Sequence, residues 1–111
     1  MHKRIHAFRT FLRLFVRYAL HVREVLVGLL VLIFAGGLAI SWIEGIELGK
    51  AIYFAFITGL SIGYGDITPE TALGRVVSVA IGLVGLLFVG LAAAVATRAL
   101  RDLIVQLSQQ Q

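Results

Sequence analysis

Cysteine is absent from this 111-residue chain, which excludes a disulfide scaffold and any thiolate metal site. Charge is scarce as well. Charged residues make up 14% against 59% apolar residues, a balance wrong for a soluble globule of this length. The scarcity is concentrated in two places: residues 25–43 (nineteen residues) and 76–97 (twenty-two) carry no charge at all. As helices they reach about 28 and 33 Å, close to the hydrocarbon thickness of a bilayer. A cleaved signal peptide is the alternative for the first run, against which stand the length of the run and the extended basic region before it. Also missing are a nucleophile–base pair, a cluster of metal-ligating side chains and a glycine-rich phosphate loop, so the chain reads as no enzyme. There is no internal repeat. No arginine ladder at every third position runs inside a span.

What charge there is has a direction. A net +4 alone would suit a nucleic-acid binder. Yet Lys3, Arg4, Arg9, Arg13, Arg17 and Arg23 precede the first run, and Arg98 and Arg101 follow the second. Between the runs only Lys50 and Arg75 stand among Glu44, Glu47, Asp66 and Glu70. That asymmetry is the positive-inside bias. It expects no nucleic-acid partner, a multi-pass protein of the plasma (inner) membrane, and both termini in the cytoplasm.

The chain reads as an all-α membrane protein and a single domain over residues 1–111. Residues 2–21 form an amphipathic helix, with Arg9, Arg13 and Arg17 on one face and an apolar stripe of Phe8, Phe11, Leu12, Phe15 and Ala19. Such a helix lies in the headgroup region and meets anionic lipid there. Residues 24–43 form the first span, with Trp42 at the level of an aromatic belt. Residues 48–59 form a helix too short to cross, re-entrant and tolerated at membrane depth only when buried in protein or lining water. Gly59 is expected to close that helix and turn the chain outward. Residues 75–100 form the second span, rich in small residues (Gly82, Gly85, Gly90, Ala92–Ala94, Ala96) that let helices converge. His2, His6 and His21 precede the first span. For His21, beside Glu24, proton gating and a plain interfacial imidazole are both open readings.

Between the runs lies Thr58-Gly59-Leu60-Ser61-Ile62-Gly63-Tyr64-Gly65-Asp66. A bare cation in hydrocarbon loses hydration worth, by Born estimates, on the order of tens of kcal/mol, and fixed oxygens must replace that shell. Successive backbone carbonyls point one way only if the chain alternates through conformations that a Cβ resists, and Gly63 and Gly65 are spaced to supply them. Ser61 adds a hydroxyl ligand.

Ser61-Ile62-Gly63-Tyr64-Gly65-Asp66 resembles the Thr-Val-Gly-Tyr-Gly-Asp filter of potassium channels. Thr58 and Ser61 match the two hydroxyl positions of the longer family pattern, and Pro69, Gly74 and Arg75 continue the likeness. The layout over about residues 5 to 100 is similar to the small two-helix prokaryotic potassium channels. The resemblance implies a fourfold-symmetric homotetramer that conducts K+ passively, with K+ as permeant ion and no catalytic cofactor. It implies a filter at residues 61–66, where Ser61, Ile62, Gly63, Tyr64 and Gly65 bind K+ through backbone carbonyls and the Ser61 hydroxyl. Thr58, Asp66, Tyr53 and Phe54 would support the filter, Gly85 would be the gating hinge, and Ala93, Ala94 and Thr97 the inner gate.

Three departures qualify the likeness. Ser61 stands where threonine is usual and lacks the methyl that restricts χ1. Ile57 stands where some relatives place a glutamate beside Asp66. Tyr53 and Phe54 replace a tryptophan pair, leaving Tyr53 to donate to Asp66 and Phe54 to packing alone. Open alternatives are a weakly selective cation channel, the pore module of a larger ligand-gated channel, and a non-conducting two-span anchor or assembly protein.

Overall fold

A computed structural model describes residues 2–110, with side chains from Arg4 onward, so the side chain of His2 lies outside the described residues. Four helices follow one another: α1 (His2–His21), α2 (Arg23–Glu44), α3 (Leu48–Gly59) and α4 (Ala72–Gln109). Among the described residues there is no strand. α2 and α4 are long and apolar enough to cross a membrane, and α3 is a shorter apolar helix.

The single domain expected from the sequence divides into two compact units. One is Val27–Gly90; the other joins Met1–Leu26 to Leu91–Gln111. The reason is that α1 has a packing mate of its own in the tail of α4.

In the first unit the core is built from one stripe of each helix. Ile33 and Ile40 of α2, Ala51, Phe54 and Ala55 of α3, and Ile81 of α4 are buried together. The remaining faces of α2 stay apolar although exposed, with Val27, Val31, Phe34 and Leu38 pointing outward. A helix that is hydrophobic all round belongs in lipid rather than at a water surface. The end of the unit where α2 stops and α4 starts is closed by Glu44. Its carboxylate accepts the Glu70 N–H, the Thr71 hydroxyl and, at 3.3 Å, the Thr71 N–H. Thr71 Oγ1 in turn accepts the Gly74 N–H at 2.9 Å, capping α4. An anion at a helix N-terminus also meets the positive end of its dipole. The sequence marks Glu44 only as the edge of an uncharged run.

In the second unit Leu14 is buried against Ala99 and Leu103, flanked by Phe11, Phe15, Tyr18 and Leu107. The apolar stripe expected on α1 is therefore split. Phe11 and Phe15 face the tail of α4, with ring centroids 6.2 Å apart, while Phe8 and Leu12 are exposed. Periodicity locates an apolar side but cannot reveal a mate ninety residues away. The same contact explains why α4 runs on to Gln109 beyond the span expected over residues 75–100, the extension from Arg101 that the sequence left open. Its start at Ala72, three residues early, follows from the Thr71 cap.

Ile33 is fully buried whereas Val31, on the same helix, is exposed. Ile33→Ala should therefore cost about 2–5 kcal/mol of stability, and Val31→Ala no more than about 0.5 kcal/mol. Denaturation of the purified protein followed by circular dichroism would read both.

Candidate functional site in the loop between α3 and α4

The loop is organised by where its N–H groups go. The last carbonyls of a helix have no intrahelical partner. Here Leu60 N–H bonds Phe56 O at 2.8 Å and Ser61 N–H bonds Thr58 O at 3.2 Å. Ile57 O takes two donors, Ile62 N–H at 2.8 Å and Gly63 N–H at 3.0 Å. The front of the loop is thus hung by its donors from the end of α3.

Its acceptors are left over. Among the described residues no hydrogen bond ends on the carbonyl oxygens of Ser61, Ile62, Gly63, Tyr64 or Gly65. The backbone explains how consecutive residues reach this state. Ser61, Gly63 and Gly65 have φ of +65°, +60° and +80°, while Ile62 and Tyr64 between them have no positive φ. Every second residue is left-handed, the alternation needed to bring successive carbonyls to one side. No atom lies within 4 Å of where a Cβ would sit on Gly63 or Gly65. Glycine is required there by conformation and not by space.

Ser61 was expected as a ligand, not as a left-handed residue. That conformation costs a side-chain-bearing residue about 1–2 kcal/mol. Serine, with one γ substituent, is less crowded there than a β-branched residue. The signal in the sequence was its place two before Gly63, in step with Gly63 and Gly65.

Gly59 needs a correction. It does not turn the chain: the residue after it, Leu60, has φ −82° and ψ 4°, and the first left-handed residue is Ser61. Gly59 is needed for close packing instead. A Cβ on it would lie 2.9 Å from Ile33 Cδ1, and a Cβ on Gly85 would collide with the backbone of Gly59. Gly85 is thus the point where α4 touches the end of α3 main chain to main chain. α4 is helical without interruption through Gly82, Gly85 and Gly90.

The other site residues are placed as follows. Asp66 is brought to Tyr53: partial desolvation first, and then hydrogen bonding to the Asp66 carboxylate and its charge, push the half-exposed Tyr53 phenol above its ordinary range. Phe54 is a core residue among Ile33, Ile40 and Ile81. Thr58 contributes its carbonyl to Ser61, and the Tyr64 side chain is 69% exposed. Ala93, Ala94 and Thr97 lie on exposed positions of α4 in the other unit, where the Thr97 hydroxyl donates to Ala93 O at 2.8 Å.

Residues 28–102 match a family model described as "Ion channel". The chain belongs to this ion channel family. The match takes in most of both long apolar helices and all of α3 and the loop, and makes the chain a membrane protein. Within that family it is similar to "Probable potassium channel protein 2" of Methanocaldococcus jannaschii, 50% identical over 46 residues. Those residues are 41% of this chain and 13% of that protein. No solved structure matches.

For an ion channel, the chemistry on offer in this loop is a run of five main-chain oxygens, held in place by the bonded N–H groups of Leu60 to Gly63. The contact at Gly85 is what fixes the end of α3 against α4. Gly85→Ala should lower the melting temperature and disturb the loop, whereas Gly82→Ala and Gly90→Ala have open space at their Cβ. These two should be neutral or stabilising by up to about 1 kcal/mol each from helix propensity. Thermal unfolding of the three variants side by side would check this.

Proposed function

We propose that four copies of this chain form a potassium-selective channel, conducting K+ passively through residues 61–65. The observation that carries the reading is the alternation of φ along a loop with five unpaired carbonyls. Carbonyl rings of this kind replace the hydration shell of K+ in potassium channels. One loop offers one oxygen per layer, and a dehydrated K+ takes about eight from two stacked rings of four. Cyclic symmetry closes such rings without open edges. The likeness to a protein named as a probable potassium channel supports the same ion.

In this reading α3 is a re-entrant pore helix. Its negative C-terminal end faces the ion path, and its carbonyls anchor the filter from behind. Ser61 adds its hydroxyl below the carbonyls. Asp66 and Tyr53 brace the outer side of the filter, Thr58 holds its lower end, and the exposed Tyr64 ring packs on a neighbouring subunit. Gly85 couples α4 to the filter, so movement of the gate-lining Ala93, Ala94 and Thr97 would be felt there. The chain sits in the plasma membrane with both termini cytoplasmic, following its basic flanks. Its stretch of likeness is a small part of a longer relative, which favours one second reading: the pore module of a larger channel.

Flux from liposomes loaded with K+ or Na+ tests the proposal, with barium as a blocker. The parent should pass K+ far faster than Na+ and be blocked by barium. Gly65→Ala, which adds about 1–2 kcal/mol of left-handed strain in each subunit, should silence it. A parent that passes neither ion, or a Gly65→Ala variant with unchanged K+ flux, would overturn the reading.

A further inference from the structure

We propose that Arg101, contributed by four copies, sets a ring of positive charge at the inner mouth of the pore, so that K+ enters the cell more readily than it leaves. The inference rests on the reading of residues 61–65 as a shared ion path and gives that path a preferred direction.

The tail of α4 decides where Arg101 points. Val95, Ala99 and Leu103 form its buried stripe, and Ala99 and Leu103 pack with Leu14 of α1. An α-helix turns about 100° per residue. Ala94, Thr97 and Arg101 therefore fall on the side of α4 opposite that stripe, and all three are exposed. They line one groove together with Arg98, Asp102 and Val105. The face that carries the gate thus continues, one turn beyond Thr97, to a guanidinium.

The other two charges of the tail are turned aside. The Arg98 guanidinium lies over the Tyr18 ring, 4.6 Å from its centre, and so belongs to the α1 side. Asp102 is half-buried and stands about 100° round the helix from Arg101, on the flank that Arg98 occupies. Among the described residues neither Arg101 nor Asp102 enters a side-chain hydrogen bond. Even with Asp102 counted, the groove holds two guanidiniums to one carboxylate. An arginine keeps its charge at every working pH, so the ring is fixed and does not titrate.

Four such charges around a narrow path lower the local concentration of cations and oppose K+ arriving from that side. The segment after the filter has the opposite sign, with Asp66 and Glu70, and gathers K+ on its own side. Mobile ions screen a charged ring over about 10 Å at 0.1 M salt and about 3 Å at 1 M. The preference for inward movement must therefore fade as salt rises.

Single-channel recording in planar bilayers, with equal KCl on both sides, reads this asymmetry. At about 20 mM KCl, where screening is weak, inward current through the parent should exceed outward current at the opposite voltage by about twofold or more. At about 1 M KCl the two should converge. Arg101→Gln should abolish the asymmetry by raising the outward current, with the preference for K+ over Na+ unchanged. Arg98→Gln, which removes the same charge from the α1 flank, should keep most of it. The chain has no cysteine, so Arg101→Cys offers a single thiol. A cationic thiosulfonate reagent should restore the asymmetry in that variant and an anionic one reverse it, and the side from which they act marks the inner mouth. A conducting parent with equal currents in both directions at about 20 mM KCl overturns this proposal alone. An asymmetry that survives Arg101→Gln does the same. A parent that passes no K+ overturns the reading of the loop, and this proposal with it.

Discussion

A peptide carbonyl kept from water must find another partner, and in this chain nearly every one does so inside a helix. Among the described residues, Ser61 to Gly63 have their donors assigned, while the acceptors from Ser61 to Gly65 are not. Everything around the loop can be understood as what makes that imbalance stable. In an irregular loop the backbone would ordinarily fold its carbonyls back onto its own N–H groups. Here the front donors of the loop are already taken by Phe56, Ile57 and Thr58, and the alternating sign of φ keeps the oxygens apart from them.

The scaffold holds this arrangement by close approach and by one buttress at Glu44. Gly59 sits against the Ile33 side chain on one side and the Gly85 main chain on another, so the last turn of α3 is wedged between α2 and α4. Where α2 ends, the Glu44 carboxylate gathers donors from Glu70 and Thr71 and so ties the segment after the loop to that helix. The strain of a left-handed serine is small against these constraints. It can persist because the neighbours leave the backbone little alternative.

The sequence made much of this legible, for reasons that differ by element. Two uncharged runs bracketed by charge mark α2 and α4, since length and composition are enough to read a span. Gly63 and Gly65 declare the left-handed positions because no other residue takes them without penalty. Ser61 was opaque on that point, as serine carries no conformational signature of its own. Gly59 was misread because a glycine at a helix end usually turns the chain, and only the packing of Ile33 and Gly85 shows otherwise. The Glu44 clasp joins residues twenty-six and twenty-seven positions apart, and the mating of α1 with the tail of α4 joins the two ends of the chain. Neither leaves a local pattern. Long-range partners of this sort are fixed by tertiary packing alone.

The central claim is that these five main-chain oxygens are ligands. Infrared spectroscopy of protein carrying ¹³C=O at Gly63 and Tyr64, in bilayers exchanged between K+ and a large organic cation, reads those oxygens directly. The account predicts a shift of the labelled amide bands in K+ that is lost in the organic cation. Bands that stay the same in both would mean that the carbonyls meet no ion, and would contradict it.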